Sequence, residues 1–214
     1  MAGKNGLDRQ SILATALELA DSEGLEAVTM RRIAQRLGVG TMTLYHYVPN
    51  KENLLTGLVD LIFKEVEQAP ENIESWADRL VFVSLSFRQS ALAHPVLVTL
   101  VASGYISGPV VLRTTDSYLE AIIRRGFEPR VAAHVYRSAA SYVIGYLSLE
   151  LGGYFHAIEG GRSRTRSLDE HSNAYPHLSE VGPHLGGCSP EGEFEAGLRR
   201  LLAGFQKDLI PRSG

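Results

Sequence analysis

The sequence predicts an all-α chain, with a small three-helix unit at its N-terminus and a larger helical body behind it. Three observations carry that prediction. Apolar residues recur at i, i+3, i+4 and i+7 along most of the 214 residues. No segment sustains the period-2 alternation of a half-buried strand. Glycine and proline stand where the periodic runs stop, as at Gly24, Gly38, Pro49, Pro70, Pro95 and Gly126. The expected boundary falls between residues 1–52 and 53–214.

After a polar start, a first helix is expected from Asp8, with Ile12, Ala16, Leu19 and Ala20 on one stripe and Gly24 at its end. Thr29 supplies a side-chain oxygen that can cap the next helix, whose stripe is Met30, Ile33, Ala34 and Leu37. Gly38 can take the left-handed conformation that stops it. Val39 and Gly40 form a tight turn, and Thr41 opens a second short helix through Tyr47, with Leu44 and Val48 as its buried edge. Pro49 ends that helix, because it lacks an N–H and biases Val48 away from helical angles. Asn50 then caps a longer helix from Lys51 to about Gln68. Two short helices joined by a glycine turn make a helix-turn-helix.

The body follows as a series of amphipathic helices. They are expected over Ile73–His94, Val96–Ala102 and Val111–Arg125, the last with Leu112, Thr115, Leu119, Ile122 and Ile123 facing inward. Pro129 starts a long helix to about Leu151 that is apolar on more than one face, so it needs burial on two sides. One side suits a second copy of the chain. Gly152–Asn173, with the basic run Arg162–Arg166, reads as a flexible loop. A short helix over Pro176–Val181 comes next. The final helix opens at Ser189-Pro190 and carries Phe194, Leu198, Leu201, Leu202, Phe205 and Leu209 in one clean stripe.

Composition narrows the function. Net charge is −3 overall, yet Thr29–Lys51 holds four Lys/Arg and no Asp or Glu. A local basic excess in an acidic protein is the footprint of a phosphate-binding face. The side chains left outward on the second short helix are hydroxyls, a thioether, an imidazole and aromatic rings, which suit base edges and thymine methyls. One cysteine excludes an internal disulfide framework and fits a reducing compartment. The polar N-terminus has no signal-peptide core, and no apolar run is long enough to span a bilayer, so a cytoplasmic, membrane-free protein is expected.

The run Ile33-Ala34, Leu37-Gly38-Val39, Thr43-Leu44-Tyr45, Tyr47-Val48, Lys51 and Leu54-Leu55 resembles the N-terminal domain of TetR-family repressors. The resemblance is specific over about residues 8–60. It implies a homodimeric repressor bound to a pseudo-palindromic operator on double-stranded DNA and released by a small-molecule effector. It implies base contacts by Thr41, Met42, Thr43, Tyr45 and His46, and phosphate contacts by Thr29, Arg31, Tyr47 and Lys51. The second half is similar, at pattern level, to the ligand-binding domain of the tetracycline-repressor branch. Ser86-Phe87-Arg88, Arg125-Gly126-Phe127 and Phe194-Glu195-Ala196-Gly197-Leu198 carry that likeness. Where that branch places histidines around drug and magnesium, this chain has Val66-Glu67 and Leu100-Val101-Ala102. An aromatic or apolar effector is therefore expected, in a pocket lined by Phe63, Phe87, Tyr105, Tyr118, Tyr142 and Tyr146.

Most aromatic residues of the body serve packing. Of the seven histidines, only His184 has a cysteine at helical spacing, Cys188, across Gly186-Gly187; no metal site and no cofactor are expected. No Ser-His-Asp elbow, phosphate-binding lysine loop or dinucleotide glycine motif is present, so no catalytic residues are assigned. The rival reading is a small all-α enzyme or binding protein whose helix-turn-helix serves protein contacts.

Overall fold

The computed structural model of the chain describes residues 7–155, 174–181, 184 and 189–208. Among these residues the regular structure is helical, with no strand.

α1 (Arg9–Glu23) begins at a reciprocal cap: the Asp8 side chain accepts from the Ser11 backbone N–H at 2.7 Å, and Asp8 N–H donates to Ser11 Oγ at 3.1 Å. It buries Ile12, Leu13, Ala16, Leu17, Leu19 and Ala20. Thr29 caps α2 (Met30–Leu37) by accepting from Arg32 N–H at 3.3 Å. Gly38 closes α2 at φ +67°, and the following Val39 N–H reaches back to the Ala34 carbonyl at 3.0 Å. α3 (Thr41–Tyr45) then turns Leu44 fully into the three-helix core. It ends two residues earlier than expected. Tyr47 and Val48 both return their N–H groups to the Leu44 carbonyl, which tightens the last turn before Pro49.

Asn50 caps α4 (Lys51–Phe63), accepting from Asn53 N–H at 2.8 Å. This helix also stops short of Gln68. Lys64, Glu65 and Val66 bond three residues back rather than four, and the tightened turn tucks Val66 into the core. The first half of α4 lies against α1 so closely that a Cβ at Gly57 would meet the Leu13 side chain at 2.8 Å. Its second half packs on α5 (Trp76–Ala93), α6 (Val96–Ala102) and α7 (Pro109–Arg125). One helix therefore joins the N-terminal helices to the body within one continuous core.

α8 (Pro129–Leu151) and α10 (Pro190–Ala203) form the most extensive helix pair of the body, with α5 against α10 on one side and α7 against α8 on the other. α9 (Pro176–Val181) forms as expected. Arg88 of α5 is buried and clamps both oxygens of Glu150 on α8, at 3.0 and 2.5 Å, and Glu191 on α10 at 3.1 Å.

The inward face of α7 differs from the sequence expectation. Leu112 is 55% exposed and Ile123 46%, whereas Val111, Thr114 and Ile122 are buried. Thr114 accepts from Gln68 Nε2 at 3.3 Å, so a polar residue displaces two larger apolar ones because it has a partner inside. α5 starts at Trp76 because Ser75 caps it. The loop over 156–173 with its basic run, Cys188 and Leu209 lie outside the described residues.

Candidate functional site

The first site is the outer face of α2–α3. Met42 is 75% exposed, and Thr43, Tyr45, His46 and Tyr47 share that exposed surface, with Thr41 partly buried at the start of the helix. Leu44 and Val48, fully buried, fix the helix so that these side chains cannot turn inward. Thr29 and Arg31 at the head of α2, and Lys51 at the head of α4, are exposed on the same small unit. All nine residues expected to touch DNA lie on this small unit, eight of them exposed and Thr41 partly buried.

Charge is distributed less evenly than the sequence stretch implies. Glu23, at the end of α1, pairs with Arg32 at 2.6 Å and Arg36 at 3.3 Å. A single carboxylate six residues upstream of the stretch thus engages two of its four basic side chains and offsets one of their charges. Arg31 and Lys51 form no ion pair among the described residues.

The second site is a cavity of about 490 Å³ in the body. Its wall takes Phe63 from α4, Phe87 and Ser84 from α5, Val101 and Ala102 from α6, Val111, Thr115 and Tyr118 from α7, and Tyr136, Arg137, Ala140 and Ile144 from α8. Phe63 and Phe87 meet with ring centroids 5.5 Å apart. Thr115 Oγ1 and the Tyr136 hydroxyl are 3.4 Å apart. Burial pushes the Tyr118 phenol well above its ordinary range, with the neighbouring Tyr136 adding to it, so it is a neutral O–H donor at any physiological pH. The lining is mostly apolar with a few polar groups, which is the make-up of a small-molecule site.

Three of the six expected liners are there: Phe63, Phe87 and Tyr118. Tyr105, Tyr142 and Tyr146 are not. Tyr105 is partly buried beyond the end of α6, against the core. Tyr142 donates to the Phe194 carbonyl at 3.0 Å and Tyr146 to the Pro190 carbonyl at 2.7 Å, so both phenols serve the α8–α10 seam. A Cβ at Gly197 would collide with the Tyr142 hydroxyl, which shows how closely α10 lies on it. A tyrosine count cannot separate these roles, since both need a buried ring with a satisfied hydroxyl.

Sequence reading also missed Asp60. It is buried on α4 and accepts from Val110 and Val111 N–H at 3.0 and 3.2 Å, capping the first turn of α7. The available signal was a lone carboxylate in the apolar run Leu58-Val59-Asp60-Leu61-Ile62. His94, at the end of α5, makes the other polar tie to the head: Nδ1 lies 2.8 Å from Asp21 on α1 and Nε2 3.4 Å from Glu65. Among the described residues no group of His, Cys, Asp and Glu is placed to hold a metal ion, and no single helix is long and apolar enough to cross a membrane.

Residues 12–58 match the family model for bacterial regulatory proteins of the tetR family, and residues 69–209 match that for the tetracyclin repressor-like C-terminal domain. The chain belongs to the TetR family. An HTH-type transcriptional regulator of Saccharopolyspora erythraea is 31% identical over 204 residues, covering 93% of this chain and 84% of the relative. The class E tetracycline repressor of Escherichia coli is 30% identical over 205 residues, covering 95% and 92%. Among solved structures, the TetR-family protein ActR of Streptomyces coelicolor in complex with (S)-DNPA superposes with TM-score 0.80 at 25% identity, covering 96% of this chain and all of that one.

The helix-turn-helix and the cavity are thus the two halves of a TetR-family regulator. The family function, a ligand-responsive DNA-binding repressor, fits both sites. The rival reading of the helix-turn-helix as a protein-contact module is not favoured.

Proposed function

We propose that the chain works as a homodimer that represses transcription from a pseudo-palindromic operator and leaves it when a largely aromatic or apolar molecule fills the cavity. The observation that carries this reading is the position of α4. Its first residue, Lys51, is exposed just after the helix-turn-helix, and its last, Phe63, lines the cavity. The helix spans about 18 Å between them. A ligand against Phe63 bears directly on the helix that sets the angle of the reading head, and Asp60 makes α7 move with it.

Thr41, Met42, Thr43, Tyr45 and His46 are assigned to base edges, and Thr29, Arg31, Tyr47 and Lys51 to phosphates. α3 has five residues, enough for one half-site, so a second copy is needed to reach a second groove. The α8–α10 pair is proposed as the dimer face, because it leaves Gly145 and Leu149 of α8 exposed and Leu201 and Phe205 partly covered. The ActR chains in complex with (S)-DNPA and with actinorhodin support an organic effector in this fold. Release follows from unequal affinity of the effector for two spacings of the heads.

The test is selection of bound sequences from a random duplex pool, with sedimentation of the same preparation. The reading expects a dimer at micromolar concentration and inverted half-sites centred about 34–36 Å apart. Lys51→Ala should then weaken all duplexes alike and flatten the salt slope by about one unit. A monomer, or a single unrepeated half-site, would overturn it.

A further inference from the structure

Arg137 is the one charged side chain among the described residues that line the cavity. It is exposed and sits toward the N-terminal end of α8, four residues before Ser141 and seven before Ile144, which continue the same wall. It forms no ion pair among the described residues, while Arg88, Arg124 and Arg199 of the same body are all engaged with carboxylates. Beside it on the chain, Tyr136 carries the hydroxyl that faces Thr115. The cavity therefore has an apolar end at Phe63 and Phe87 and a cationic edge at Arg137.

We propose that Arg137 selects an amphipathic anion: an effector with an aromatic body and one acidic group, which pairs with the guanidinium at the cavity edge. The inference rests on the effector reading of the cavity and specifies the ligand class for it. A guanidinium offers paired N–H donors that match a carboxylate or sulfonate, and it becomes partly desolvated when an apolar body closes the space next to it. The Tyr118 hydroxyl has no hydrogen-bond partner among the described residues, which leaves it as a neutral donor to an oxygen on the ring system. A neutral aromatic of the same shape would fill the apolar end and leave Arg137 in water.

Two dyes of one ring system test this on the full-length protein: 8-anilinonaphthalene-1-sulfonate and its uncharged counterpart N-phenyl-1-naphthylamine. Ala140→Trp, which fills the cavity from α8, identifies the dye bound there. The expected result is that Ala140→Trp abolishes binding of both dyes at the cavity. Arg137→Gln should weaken the sulfonate about fivefold or more and the neutral dye less than about twofold, while Arg137→Lys retains most of the preference. Because Arg137 is exposed, the variants should fold, and an unchanged thermal midpoint checks it. Equal losses for both dyes, or no loss for either, would overturn the role of Arg137 while leaving the cavity reading intact. Dye binding that Ala140→Trp leaves unchanged would overturn the cavity reading and this inference with it.

Discussion

The reading head and the body are both helical, yet they are specified on different length scales. In the head, the contacts that set the site are local. Thr29 caps a helix three residues on, Gly38 stops it, and Asn50 caps the next. Leu44 and Val48 are separated from the side chains they orient by one or two positions. In the body, the cavity wall gathers residues from Phe63 to Ile144 on five helices. Its organising contacts are long-range, as between Asp60 and Val110 or Arg88 and Glu191. Caps, stripes and stops can be read from neighbours in a sequence, whereas a wall of five helices needs their register and packing.

The largest expected effect breaks the body alone. Arg88→Ala leaves Glu150 nearly buried without its partner, which should cost about 3–5 kcal/mol of stability by denaturant unfolding. The complementary break in the head is Leu44→Ala, at about 2–4 kcal/mol in a fully buried site. It should abolish duplex binding while dye binding in the body persists. If Leu44→Ala also destroys the cavity, the head and the body, which share one continuous core, do not unfold separately.

Tyr142→Phe sharpens the same contrast. A tyrosine of the cavity would lose ligand affinity; one of the α8–α10 seam should lose about 0.5–1.5 kcal/mol of stability and no ligand affinity. The structure predicts the second outcome. The smallest effect concerns acid. The Asp78 carboxyl is held below its ordinary value of 3.8, first by the hydrogen bond from Arg199 and then by Ser75. A lowered folded value means that its stabilisation is present above the unfolded value and is lost as pH falls through the folded one. Both partners are 46% exposed, so solvent screening holds the contribution below about 1 kcal/mol. Asp78→Asn should therefore lower stability at neutral pH by up to that amount, leave strongly acidic pH almost unchanged, and so flatten the acid limb of the profile below about pH 4.

The sequence was therefore legible in proportion to locality. The helix order, the caps at Thr29 and Asn50, the stop at Gly38 and the burial of Leu44 beneath an exposed α3 were all visible as patterns of neighbours. The faces of α7 were not, because Thr114 is buried by Gln68, 46 residues away. Tyr142 and Tyr146 were misplaced for the same reason. Their partners, the carbonyls of Phe194 and Pro190, lie on a helix about fifty residues on, and nothing in the tyrosines' own surroundings distinguishes a cavity from a seam. Glu23 lies on α1, before the Thr29–Lys51 stretch, and reaches Arg32 and Arg36 only once α1 and α2 have packed.

The central claim is that α4 couples the cavity to the reading head. It is tested most directly by the affinity of the selected duplex for the wild type and for Ala140→Trp, measured by anisotropy at one salt concentration. Tryptophan at position 140 stands in for a permanent occupant and touches no residue of the head. The account predicts duplex binding weakened about fivefold to a hundredfold, with dimerisation and the sequence preference retained. Equal duplex affinity in a variant whose cavity no longer admits dye would contradict it.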